Sequence, residues 1–178
     1  AETFNSALEG MKELEVAHFA QTCILPGADI CSGAARFAGR TVSADDVGGD
    51  YYDAFVPAEG EMVFLMGDVS GHSISAALVV SMARAAFSGI VDQGVKMPHE
   101  IFTMMNKLMI EHLRRVKMMT CFGGYIDKTG KLNCCNAGQS FPFLIRDDGG
   151  IESIRQIGYP LGAARKKTLK YLEMQLPH

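Results

Sequence analysis

Val47-Gly48-Gly49-Asp50-Tyr51-Tyr52-Asp53 and Gly67-Asp68-Val69-Ser70-Gly71-His72 bracket the segment from which the rest of the chain can be read. Pro57-Ala58-Glu59-Gly60 between them has turn chemistry, Gly49 to Val56 is rich in Tyr and Phe, and Met62-Val63-Phe64-Leu65-Met66 is continuously apolar. Two strand-like runs about a turn containing Pro and Gly predict a β-hairpin. With the turn centred on Glu59, paired positions sum to 118, which is 50 plus 68, so Asp50 faces Asp68. Their Cβ atoms are then roughly 4.5–5.5 Å apart.

Like charges directly opposite each other destabilise a ladder, so something must offset them. One option is a shared proton, which raises one carboxyl pKa strongly. The other is a hard divalent cation such as Mg²⁺ or Mn²⁺, which prefers carboxylate, carbonyl and water oxygens. Gly48, Gly49, Gly67 and Gly71 fit the second option, because bare backbone allows close approach and offers carbonyls. Asp53 follows Asp50 at a spacing that turns it to the other face of a regular strand, which suits it to supporting a ligand rather than being one. His72 precedes a helix whose N-terminal amides favour an anion such as phosphate. Its ring could pass a proton to a leaving alkoxide.

The two motifs, the second extended through Ser73-Ile74-Ser75-Ala76-Ala77-Leu78, resemble the first two motifs of the SpoIIE-type (RsbU-like) branch of the metal-dependent type 2C, or PPM, serine/threonine phosphatases. Asn136-Ala137-Gly138-Gln139-Ser140-Phe141-Pro142 is similar to that family's Asn-Ala-Gly-His segment, and Gly158-Tyr159-Pro160-Leu161-Gly162 to its Gly-x-Pro-Leu-Gly segment. The resemblance covers about residues 10 to 176. It departs at Ser73, where the family usually has Gly, and at Gln139, where it usually has His. Gln139 can hydrogen-bond but cannot carry a proton at neutral pH, so no acid–base role is expected of it.

The resemblance implies an α+β fold, a type 2C phosphatase-like β-sandwich flanked by helices on both faces in an α-β-β-α order. It implies hydrolysis of phosphoserine or phosphothreonine on a signalling protein, typically an anti-sigma-factor antagonist, by water activated between two Mn²⁺ or Mg²⁺ ions. Asp50 and Asp68 are then the catalytic, metal-holding residues, and the Val69 carbonyl is a further oxygen ligand. Gly49, Asp53, Gly71 and His72 are the groups expected to support the ligands or meet the substrate. The family's later Gly-Asp, Thr-Asp-Gly and Asp-Asp motifs do not occur here, so residues 26–178 are expected to form a C-terminally truncated phosphatase domain. That gap, with Gln139, keeps open a second reading, a non-catalytic signalling module that binds a partner protein. Glycoside hydrolysis by the carboxylate pair is a poor third, because its sugar clefts are usually rich in Trp and this chain has none.

Composition narrows the rest. A chain of 178 residues with 48% hydrophobic and 21% charged residues suits one domain with a substantial core. A net charge of −3 without a basic block argues against nucleic acid as a partner. Neither a signal peptide nor an apolar run of ~18 residues is visible, so the expected location is the cytoplasm, with tethering to a membrane left to an upstream domain. Cys23, Cys31, Cys121, Cys134 and Cys135 contain no Cys-x-x-Cys pair and read as buried small hydrophobes in a reducing compartment.

Residues 5 to 25 read as a helix stopped by Pro26-Gly27, expected to connect the domain to an upstream sensor or receiver module and to serve a homodimer. Residues 29 to 38 read as a strand, Ser73 to Gln93 as a helix rich in small residues, and Pro98 to Val116 as a second helix ending in cations. Met119 to Ile126 with Lys131 to Asn136, and Phe141 to Ile145 with Ile151 to Ile154, read as hairpins around Asp- and Gly-containing turns. Thr168 to Leu176 reads as a last strand.

Overall fold

In the computed structural model, residues 12, 16, 19, 26, 29–33, 35–42, 48–71, 74–164 and 169–176 are described. They form β1 (Asp29–Cys31), β2 (Arg36–Ala38), β3 (Asp50–Phe55), β4 (Met62–Val69), α1 (Ile74–Asp92), α2 (Pro98–Leu113), β5 (Met119–Ile126), β6 (Lys131–Ala137), β7 (Phe143–Ile145), β8 (Ile151–Ser153) and β9 (Leu172–Gln175). Lys12, Val16 and Phe19 are helical and exposed. The remainder of the expected connecting helix lies outside the described residues, as do Val47, His72 and Ser73.

The central sheet is antiparallel, in the order β3-β4-β5-β6-β9. Its β3–β4 hairpin has the expected register, with Asp50 opposite Asp68 and Phe55 opposite Val63. Both faces are covered. On one, α1 and α2 pack with Tyr51, Val63, Leu65, Val69, Met119, Cys121 and Cys135. On the other, Ala54, Met62, Phe122, Ile126, Leu132 and Cys134 meet Phe37 of β2 and Leu144 of β7. The neighbours Cys134 and Cys135 are both wholly buried because β6 turns alternate side chains into the two cores. Both helices with described bounds lie on one face; the opposite layer among the described residues is made of the β1–β2 and β7–β8 hairpins.

Several expectations are corrected. Residues 29 to 38 are two short strands, because Ser32 and Gly33 (φ 82°) reverse the chain and Ser32 N donates to Ala35 O at 3.0 Å. Cys31 is exposed at the end of β1. The second helix stops at Leu113, where Arg114 and Arg115 take left-handed backbone (φ 48° and 67°). α1, at 19 residues and a mean hydropathy of 1.8, is long and apolar enough to cross a membrane, contrary to the expectation that no such run exists. Its apolar face, including Ala76, Val80, Ala83 and Phe87, is buried against the sheet.

Asp53 fixes that helix to the sheet. It is 1% exposed and lies on the helix-facing side of β3. Its Oδ2 accepts from Tyr51 Oη at 2.9 Å and pairs with Arg84 Nε of α1 at 3.2 Å, while its Oδ1 accepts from Ala54 N at 2.9 Å. Burial raises its carboxyl pKa, and Tyr51 and Arg84 pull it back.

Candidate metal centre

The two carboxylates stand at one end of the sheet, on the face away from the helices. Asp50 begins β3 and Asp68 sits near the end of β4, both exposed and directly opposite each other. Partial burial and the facing charge of Asp50 hold the Asp68 carboxyl above its ordinary range. No cationic side chain among the described residues pairs with either one.

Gly49 supplies the space beside them. A Cβ there would lie 2.6 Å from Val69 O, 3.1 Å from Asp68 Oδ1 and 3.4 Å from Gly71 O. Three oxygens therefore converge on the volume that any other residue would fill. This donor set is carboxylate and carbonyl, which suits Mg²⁺ or Mn²⁺, and Mg²⁺ commonly binds through one or two carboxylates while keeping its waters. The residues present fit such an ion, although the described residues hold no group of three or more His, Cys, Asp or Glu arranged to enclose one. Gly49→Ala is expected to weaken Mn²⁺ binding by about 10–100-fold, the scale on which displaced supporting groups act; calorimetric titration of the two proteins measures it.

The structure brings Asp50, Asp68, Val69, Gly49 and Gly71 together. It does not bring Asp53, whose carboxylate is committed on the opposite face. His72 lies outside the described residues. One residue that the sequence did not single out joins the site and brings Gln139 with it. Thr120 of β5 stands opposite Asp68, its Oγ1 3.4 Å from Asp68 O, and donates to Gln139 Oε1 at 3.1 Å. Gln139 is held in turn by Asn136, whose Oδ1 accepts from Gln139 N at 2.8 Å and whose Nδ2 donates to Gln139 O at 3.0 Å. Asn136-Ala137-Gly138-Gln139 is thus a clamped turn at the end of β6 that presents Gln139 to the row Asp50–Asp68–Thr120.

The Gly158–Gly162 segment braces this end of the sheet. Leu161 pairs with Met119, and Asn106 of α2 accepts from Gly162 N at 2.8 Å and donates to Ala164 O at 3.1 Å. Gly162 (φ 85°) lets the segment pass Lys117, whose O would lie 2.9 Å from a Cβ there. Residues 117–118 in turn hold the loop after β4, with Ser70 N donating to Met118 O at 2.8 Å and Met118 N to Ser70 Oγ at 3.0 Å. A cavity of about 390 Å³ opens beside this brace, between Asn106, Asn136 and Tyr159, and contains neither carboxylate.

Residues 58–178 match the family description Stage II sporulation protein E (SpoIIE). Among solved structures, the chain is similar to the RsbU and RsbW domains of a Mycobacterium tuberculosis protein, at 24% identity and a TM-score of 0.66 over 76% of this chain. It is similar to the SiaA-PP2C domain of Pseudomonas aeruginosa, at 19% identity and a TM-score of 0.75 over 97% of this chain. It is also similar to RsbX crystallised with magnesium, at 14% identity and a TM-score of 0.58 over 84% of this chain. The chain spans 38%, 69% and 66% of those three chains, respectively. At these identities the likeness is one of fold.

Proposed function

Because the chain belongs to the SpoIIE family, a branch of the type 2C metal-dependent serine/threonine phosphatases, we propose that its carboxylate pair serves hydrolysis of phosphoserine or phosphothreonine on a protein. The observation that carries this reading is the facing pair Asp50–Asp68 with the oxygen-lined space over Gly49. Asp50, Asp68 and the Val69 carbonyl are the groups that would hold Mn²⁺ or Mg²⁺ ions, two in the intact domain. Such ions supply a water nucleophile at neutral pH and neutralise phosphoryl charge, so no protein nucleophile is needed.

The chain's own groups do the positioning. Asp50 and Asp68 present two facing carboxylates to the site. Gly49 keeps the space open. Thr120, fixed by Gln139, lines the edge of the site with a neutral hydroxyl, and Gln139 orients without exchanging a proton.

The substrate is a phosphorylated signalling protein of the anti-sigma-factor antagonist kind; an RsbW domain shares a chain with an RsbU domain in the Mycobacterium tuberculosis neighbour. In this reading residues 1–25 link the phosphatase domain, 26–178, to an upstream sensor or receiver domain in the cytoplasm. The test is Mn²⁺-dependent phosphate release from a phosphoserine peptide and from p-nitrophenyl phosphate, beside the Asp50→Asn variant. Turnover by the parent and not the variant is the expected result; equal turnover in both removes the pair from the chemistry.

One observation favours a second reading, a partner-binding module: two carboxylates among the described residues make a sparse ion site. No turnover with any phosphoprotein, together with metal-independent binding of a partner, decides for it.

A further inference from the structure

Lys117 follows Arg114 and Arg115 just beyond α2, and the structure places its ammonium on the metal-site loop. Lys117 Nζ donates to Ser70 O at 2.8 Å. It lies over Gly71, where a Cβ would come within 2.8 Å of Nζ and where the left-handed backbone (φ 83°) favours glycine. The same loop is tied to residue 118 from both sides by Ser70. Gly71 O reaches to 3.4 Å from the position a Gly49 Cβ would take, next to Asp68 Oδ1. Lys117 is thus held on the loop whose Gly71 carbonyl reaches the space over Gly49.

Among the described residues the charge of Lys117 has no partner charge. The Ser70 carbonyl occupies one of three N–H donors, and no carboxylate among the described residues pairs with it. Arg114 and Arg115 are exposed close by in sequence, in left-handed backbone that ends α2 and leads directly into residue 117. An ammonium held on the loop that follows Asp68, and a carboxylate couple across β3 and β4, all without a partner charge among the described residues, match a ligand that is itself divided: cations at the aspartates and an anion at the lysine.

We propose that Lys117 is the anion-binding residue of this site, receiving phosphoryl oxygens of a phosphomonoester dianion, with Arg114 and Arg115 extending the positive rim toward an acidic substrate segment. The assignment rests on the phosphatase reading.

The test is calorimetric titration of inorganic phosphate into the Mn²⁺-loaded protein, with Mn²⁺ affinity measured separately by electron paramagnetic resonance. Lys117→Met is expected to weaken phosphate binding by about 10-fold or more, the scale of one lost charge-assisted hydrogen bond, and to leave Mn²⁺ affinity unchanged. Lys117→Arg keeps phosphate binding, and Lys107→Met on the exposed side of α2 changes neither. Parent-like phosphate binding by Lys117→Met, in a protein that hydrolyses phosphomonoesters, overturns the assignment alone. A parallel fall in Mn²⁺ affinity also overturns it, making Lys117 a brace for the loop. A parent protein that binds neither Mn²⁺ nor phosphate overturns the phosphatase reading and the assignment with it.

Discussion

Asp68→Asn is expected to lower Mn²⁺-dependent phosphomonoester hydrolysis by more than about 10³-fold, well beyond the 10–100-fold cost of changing a group that merely orients a ligand. Asn keeps the shape and one oxygen but removes the charge that an ion needs from this sparse donor set. The same change should make the metal-free protein more stable. The carboxyl pKa of Asp68 is raised in the folded protein by partial desolvation and by Asp50. Between the ordinary carboxylate pKa and that raised value, the folded state binds more protons than the unfolded one, so stability is lost as pH rises through this window and stays lost above it. At neutral pH, Asn removes that cost, about 0.5 kcal/mol on the scale of a cross-strand pair. Thermal denaturation with and without Mn²⁺, and steady-state hydrolysis, read the two halves. A variant that is less active and also less stable without metal would mean that Asp68 is a structural residue.

Gly158→Ala is expected to cost about 3 kcal/mol, the upper end for overpacking, and to lower the melting temperature by about 6–12 °C for a chain of this size. The added Cβ would fall 1.8 Å from Asn136 O, 2.6 Å from Asn136 C and 3.0 Å from Ala137 Cα, all backbone of an inner strand of the sheet. Backbone of that kind cannot rotate away as a side-chain end can. The displaced strand end carries the clamp that presents Gln139 to Thr120, so activity should fall with stability. Gly89→Ala is the control. It lies in α1, where a Cβ meets nothing within 4 Å, and should gain about 0.5–1 kcal/mol from helix propensity. Circular dichroism melts of the two variants, moving in opposite directions, test whether space or glycine content sets the effect.

The parts of the site legible in the sequence are local. Asp50 and Asp68 could be paired because one short turn sets the register of β3 and β4, and the structure has that register. The turn of Asp53 to the face opposite Asp50 followed from strand alternation, but its partner Arg84 did not, because that contact depends on how α1 lies across the sheet. Thr120 and Lys117 were not legible for the same reason. Lys117 meets Ser70 across a separation of 47 positions, with two helices between, and no turn fixes that distance. Gly158 and Gly138 were visible as motif residues, but their reason was not: each is bare because another segment, Asn136 or Pro160, passes against it. The break at Ser32–Gly33 was visible in composition and was overridden by the β-like residues around it.

The most direct measurement is titration of Mn²⁺ into this chain and into the Asp50→Asn, Asp68→Asn double variant, with the free ion followed by electron paramagnetic resonance. The account predicts saturable binding by the parent chain and none above background by the double variant, with both folded by circular dichroism. Equal binding by the two proteins would contradict it, because the ion would then be held somewhere other than the facing aspartates.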